Sequence, residues 1–370
     1  MKINKGISKN SVFPLLILGE GKGEVKFLLV FPHNFSFIIF LFFFVFTVFI
    51  SKAQDKNLND LYLNKNSVRA VFYNTENLFD VFNDSITDDD DYTAKSPRNW
   101  NYQRYTYKIN SLAKILLAVG EWEAPAFIGL AEIENSLVLS DLTKKTSLKN
   151  FNYNFIHFDS PDIRGMDVAL LFRYEFFKPL NSKPLKINAF KTRDILYVKG
   201  LLLNKDTLHI YINHWSSKRG DSHLSQYKRN TEAALLRKHS DSLFTINPNA
   251  LILIMGDFNE QPSDTALRYI LAASDKSDKL NNKLINLMSQ NFNSSEWSYI
   301  YNFNNLSQKY LFDQIIISSA LYNNKSKAII FKPDYLFELY NDEKIPFKTY
   351  NGYKYNKGFS DHLPVSFTLY

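Results

Sequence analysis

Seven apolar runs punctuate the chain after residue 67, each of strand length and each stopped by polar or turn-forming residues. They are VRAVFY (68–73), AFIGL (126–130), DVALLF (167–172), LHIYIN (208–213), LILIM (251–255), QIIIS (314–318) and PVSFTL (364–369). Between them the period changes. Ile109, Leu112, Ile115, Leu116 and Val119 recur at helical spacing and stop at Gly120, and a second helix is expected after His223, with Ala233, Ala234, Leu235 and Leu236 near its centre. Strands mixed with helices, some strands apolar on both faces, predict a layered α/β sandwich. Neither a short fixed repeat nor a Pro/Gly/Ser-rich linker divides the chain after residue 67, so residues 68–370 read as one domain.

Upstream the pattern differs. Residues 35–50, FSFIIFLFFFVFTVFI, carry no charge and follow Lys22 and Lys26. Ser51, Lys52 and Ala53 then give the small-x-small pattern of a signal-peptidase site before Gln54. That apolar length fits an export signal better than a full span of about twenty residues. Counted from Phe27, the uncharged run approaches a span if His33 is tolerated. Residues 1–53 are therefore expected to be a signal peptide or N-terminal membrane anchor and 54–67 a linker. The expected location is outside the cytoplasm: periplasmic, extracellular or membrane-anchored, with the membrane a partner only if the leader stays uncleaved.

Composition narrows the chemistry. With 45% hydrophobic residues among 370, a large core is available. There is no cysteine, which excludes disulfides, thiolate metal sites and a cysteine nucleophile. The net charge of +7 suggests a polyanion until it is divided: residues 1–53, with six lysines and two glutamates, supply +4 of it. The remaining 38 basic and 35 acidic residues leave too small a surplus to name a substrate. The four aspartates at 88–91 read as a solvated loop, because they lack the alternating ligand spacing of a calcium loop.

Several strand-like runs are followed by polar groups of a consistent kind. VRAVFY runs into Asn74, AFIGLA into Glu132, LHIYIN into His214, and LILIMG into Asp257 and Asn259; Asp361 and His362 precede the last run. Ligand sites of α/β sheets gather at strand ends. Each residue singly has an ordinary reading as a cap, turn former or satisfied histidine. Together they form a set of carboxylates, amides and two histidines that suits a hard, oxygen-liganded cation such as Mg²⁺ better than zinc.

In this order, "FYNTENLF", "GLAEIEN", "RGMDVALLF", "INHWSSKRGD", "IMGDFNEQPSD", "LFDQIII" and "FSDHLPV" resemble the endonuclease/exonuclease/phosphatase, or deoxyribonuclease-I-like, family, in a bacterial exported branch. The resemblance implies a four-layer α/β/β/α sandwich of two packed mixed sheets over residues 68–370. It implies a metal held by Asn74, Glu132 and Asp361, with Mg²⁺ expected and Mn²⁺ or Ca²⁺ as alternatives. Asp257 then orients or deprotonates the attacking water, Asn259 donates to the phosphoryl oxygens, and His362 contacts the phosphate with Asp313 as its partner. His214 matches the second active-site histidine. Arg164 falls at a phosphate-contacting position, although Asp167 beside it also reads as a structural strand start; Lys218 and Arg219 are further phosphate-contact candidates.

The chain departs from the family pattern at Ala131, where many members carry Gln; Glu134 and Asn135 are the candidate substitutes. The implied activity is metal-dependent phosphodiester hydrolysis, with nucleic acid as the first expected substrate. A phospholipid head group or small phosphate ester is the alternative, and an inactive surface binding module the non-enzymatic one. No protein partner is indicated.

Overall fold

The computed structural model describes residues 68–121, 123–275, 283–303 and 306–370, so the expected leader and linker lie outside the described residues. Strand β1 (Val68–Leu78) leads to helix α1 (Tyr102–Val119), β2 (Phe127–Ile133), helix α2 (Ser136–Lys144), β3 (Tyr153–His157) and β4 (Asp167–Arg173). Then come β5 (Phe177–Leu185), β6 (Ile195–Leu202), β7 (Thr207–His214), the long helix α3 (Ser222–Ile246) and β8 (Leu251–Asp257). Short β9 (Ala273–Ser274) and β10 (Leu284–Asn286) precede β11 (Asp313–Ser318), β12 (Ala328–Ile330) and β13 (Val365–Leu369). No helix among the described residues is long and apolar enough to cross a membrane.

The strands form two sheets, ordered β12-β13-β1-β2-β4-β3 and β5-β6-β7-β8-β11-β10-β9. Both are mixed: β1 with β2, β7 with β8, and β9 with β10 are parallel, and the other pairs antiparallel. Alternation along β8 explains the layering. Leu253 and Met255 enter the core shared by the two sheets, whereas Ile252 and Ile254 pack against Ala233 and Leu236 of α3. β11 divides likewise, Ile315 and Ile317 to one side and Ile316 to the other. A strand covered on both faces is apolar throughout, which is why LILIM and QIIIS have no polar face.

On the outer side of the first sheet, α1 buries Tyr105, Ile109, Leu112, Ala113 and Leu116. It begins seven residues before the apolar run suggests, because Asn101 caps it by accepting from the Gln103 and Arg104 amides. The helix expected after His223 is α3, capped by Asp221. The sandwich expected from the sequence is thus the observed fold. The strand reading omits β3, β5 and β6 and the short β9, β10 and β12. Pro179 and Pro184 interrupt β5, which is tolerated because it lies at a sheet edge. The aspartate run is not simply solvated: Asp89 is buried and accepts from the Asp84 amide, and Asp91 pairs with Arg98.

Gly256 sets how closely β7 and β8 approach below the candidate site. A Cβ there would lie 2.6 Å from the Asn213 Cβ and 2.7 Å from its carbonyl oxygen, so the neighbouring strand would have to move. Gly256→Ala is expected to lower unfolding free energy by about 1–3 kcal/mol. Denaturant unfolding of both proteins checks this; an unchanged midpoint would mean that the two strands are not held so tightly.

Candidate active site

Three side chains of the second sheet meet because of strand register. His214 ends β7 directly beside Asp257, which ends parallel β8, and Asp313 begins antiparallel β11 opposite Asp257. Asp257 is buried. Its Oδ1 accepts from the Asn259 amide at 3.0 Å, fixing the turn that leaves the strand. Its Oδ2 accepts from the Asn74 side-chain amide at 3.1 Å and lies 3.6 Å from His214 Nε2 and 3.7 Å from His362 Nε2. Asp313 Oδ2 is 2.8 Å from His362 Nδ1 and orients that ring.

The first sheet supplies the opposing wall through two adjacent irregularities. The β1–β2 register shifts between Asn74 and Leu78, and the β2–β4 register shifts between Ala131 and Ile133. Glu76, Asn77 and Glu132 all have positive φ, near 51°, 54° and 61°. Non-glycine residues rarely take this conformation, and bulges re-aim side chains beside active sites. Here the bulge brings Glu132 round so that one oxygen accepts from the Asn77 amide at 2.8 Å and the other from Asn74 at 3.3 Å. Thr75 Oγ1 donates to the Ala131 carbonyl at 2.8 Å and secures the pair of bulges. Asp361 and His362 arrive just before β13, held by the Ser360 hydroxyl, which donates to the Asn74 carbonyl and accepts from the His362 amide.

Burial raises the Asp257 pKa to about 7 against the pull of His362. The two histidines diverge. Burial also opposes charge on His362, but the Asp313 and Asp257 carboxylates together outweigh it and hold its pKa well above the ordinary value. His214 is held well below its ordinary value by burial, with Arg193 and Arg164 adding to the effect. One ring therefore favours the imidazolium and the other the neutral imidazole. His214 is not a satisfied core histidine, since its Nδ1 has no hydrogen-bond partner among the described residues.

The donors fit a hard divalent cation. Glu132 and Asp361 are partly buried carboxylates whose like charges oppose one another, and the Glu132 charge helps raise Asp361 after burial. The Asn74 side-chain carbonyl accepts from the Glu76 amide at 3.0 Å and keeps a second lone pair for a ligand. Two carboxylates and an amide oxygen suit Mg²⁺. Elsewhere, His157, Asp159 and Asp167 bring ligand atoms within 4.8 Å of one another. There Asp167 accepts from the Ser160 amide as it starts β4, in keeping with its structural reading.

The basic candidates fall differently. Arg164 is exposed, 3.6 Å from Asp162, and near enough for its charge to act on His214. Lys218 is held by Asp264 at 2.7 Å over the rings of Tyr310 and Phe312. Arg219 lies against the Tyr299 hydroxyl and feels the Asp361 charge. Asn259, with φ near 48°, spends one amide hydrogen on the Trp215 carbonyl at 3.0 Å and keeps the other. Glu134 and Asn135 do not replace the missing glutamine. Glu134 accepts from the Asp80 amide, and Asn135 caps α2 while donating to Asp80.

Sequence reasoning misses the groups that hold the loop after His214. Arg193 donates to the His214 and Trp215 carbonyls at 3.1 and 2.7 Å and pairs with Asp162 at 3.0 Å. Glu232 accepts from the Ser216 amide and hydroxyl, and Arg229 pairs with Glu260 while donating to the Ser216 and Ser217 carbonyls. The available signal is the buried stripe of α3, where Arg229 and Glu232 share the spacing of Ala233, Leu236 and Phe244. Charged residues in an apolar stripe call for partners.

Among solved structures, the chain is similar to TDP2 from Caenorhabditis elegans at 14% identity and a TM-score of 0.54, over 82% of this chain and 74% of that one. It is similar to the human Nocturnin catalytic domain with bound sulfate at 16% identity and 0.52, over 83% and 94%. A mannosyl-6-phosphatase of Bacteroides thetaiotaomicron aligns at 13% identity and 0.51, over 82% and 100%. No curated protein sequence matches. The sequence profile of the endonuclease/exonuclease/phosphatase family matches residues 69–370, and the chain belongs to that family.

Proposed function

We propose that the protein is a metal-dependent phosphodiester hydrolase acting on nucleic acid. The observation that carries this reading is the buried Asp257 carboxylate, within 3.7 Å of two histidines of opposite charge preference and facing the Glu132 wall. Asp257 takes a proton from the attacking water, whose oxygen bonds to phosphorus as the bond to the leaving oxygen breaks; the leaving oxygen carries off that bond's electron pair and takes a proton from solvent. His362, kept charged by Asp313, donates to a phosphoryl oxygen, and the spare Asn259 amide hydrogen donates to another. Neutral His214 adds a further polar contact. A divalent cation held by Glu132, Asp361 and Asn74 would draw off charge developing on the phosphate.

Nucleic acid is favoured over a lipid head group by the cations lining two clefts beside the site. Arg98, Arg219 and Lys348 line one, and Arg164, Lys191 and Lys228 the other. The same reading puts the enzyme outside the cytoplasm, supported by the uncharged segment 35–50 and the small residues ahead of Gln54.

Residues 54–370 incubated with supercoiled plasmid and Mg²⁺ are expected to nick it, and EDTA to stop the reaction. Asp257→Ala should lower the rate roughly 10²–10⁴-fold with the fold intact by circular dichroism, as for loss of a general base. Cleavage that persists in EDTA would defeat the metal-dependent reading. No cleavage by a folded protein, with release of phosphate or phosphocholine from small esters, would move the substrate to the alternative class.

The pH profile is a separate check. Asp257 works as a base only when ionised, and its pKa is about 7, so activity is expected to fall as pH drops through neutrality. Measured as kcat/KM on bis(p-nitrophenyl) phosphate, the acid limb should bend near 7. A bend near the ordinary carboxylate range would mean that Asp257 is not the buried base.

A further inference from the structure

Beside Asp361 a cleft of about 200 Å³ opens, and the cation cluster, water activation and histidines leave most of its lining unused. Arg98, Arg219, Lys348 and Thr349 line it together with Glu76 and Asp361. Arg98 is held rigidly. Its guanidinium lies 5.2 Å from the ring centres of both Tyr92 and Tyr350, donates to the Gly352 carbonyl at 3.0 Å, and is 3.4 Å from Asp91. Lys348 is partly buried, and its charge acts on Asp361 and Glu338. The Thr349 hydroxyl is already engaged, accepting from Lys108 and donating to Glu76.

The two acids in the lining are already engaged. Glu76 accepts from the Thr349 amide at 2.6 Å and has Lys108 at 4.0 Å, while Asp361 belongs to the carboxylate set of the site. Three cations thus line the cleft against two acids: Arg219 and Lys348 both act on Asp361, and Arg98 has only a half-exposed aspartate behind it. A preorganised guanidinium, a second guanidinium and an ammonium match the oxygens of a phosphomonoester.

We propose that this cleft is a subsite for a second phosphate of the substrate, adjoining the phosphate that is cleaved, with Arg98, Lys348 and Arg219 as its donors. The proposal deepens the hydrolase reading and rests on it for the place of the cleaved phosphate. Two sources share this chemistry: a terminally phosphorylated nucleic acid and a sugar bisphosphate.

Calorimetric titration in Mg²⁺ separates them, pairing thymidine 3′,5′-bisphosphate with thymidine 5′-monophosphate, and glucose 1,6-bisphosphate with glucose 6-phosphate. In at least one pair the bisphosphate is expected to bind roughly ten- to hundredfold tighter, as for hydrogen bonds to a charged group. The pair that shows the preference names the source. Arg98→Gln and Lys348→Gln, each folded by circular dichroism, should bring that ratio towards one. Equal binding within both pairs, or a preference that survives both substitutions, would overturn the subsite. Turnover of bis(p-nitrophenyl) phosphate, which carries no second anionic group, is followed in parallel. Absent turnover with a retained preference would remove the hydrolase reading and keep the subsite; turnover without a preference would do the reverse.

Discussion

The Asn74 side chain donates from one nitrogen to Glu132 on its own sheet and to Asp257 on the opposing sheet, 183 residues away. Two acids at the meeting edges of two sheets would repel and open that edge. An amide between them offers both a hydrogen without adding a positive charge that would quench either. Its carbonyl, tied to the Glu76 amide, sets which way the nitrogen faces. The edge then stays closed at Asn74.

That arrangement requires backbone the sheets would not otherwise choose. Glu76, Asn77, Glu132 and Asn259 have positive φ, and all four border the cluster. Left-handed conformation costs about 1–2 kcal/mol for a residue with a Cβ. Hydrogen bonds local to each residue offset part of that: Asn77 N to Glu132, Thr349 N to Glu76, and Asn259 N to Asp257. The strained residues and the acids hold one another in place. Strain here serves to aim side chains rather than to store energy for a step.

How much of this was legible in the sequence follows from the range of each interaction. LILIM and QIIIS announce doubly covered strands because burial on both faces removes the polar alternation, and the polar residues that end those strands are visible for the same reason. Motif order names Asn74, Glu132, His214, Asp257, Asn259, Asp313, Asp361 and His362, and the fold brings all eight to one end of the sandwich. β5 is not legible, since an edge strand with two prolines has a loop's composition. The opposite titration tendencies of His214 and His362 are equally hidden. They depend on the burial of His214, with Arg193 adding to it, and on Asp313 beside His362, and neither Arg193 nor Asp313 is a neighbour in sequence of the ring it acts on.

The least legible part is the support of the loop that carries His214 into Trp215 and Ser216. Arg193 grips its carbonyls from one side, while Glu232 and Arg229 reach it from α3 on the other. Buried ionic groups of this kind are weak evidence for stability, because desolvation cancels much of their attraction. Their directionality is another matter. Greasy contacts would let the loop slide, whereas Glu232 accepting two hydrogens from Ser216 allows one position, and Asn259 donating to Trp215 ties that position to the turn after Asp257. The separation between His214 and Asp257 is thus fixed twice, once by strand register and once by this polar frame.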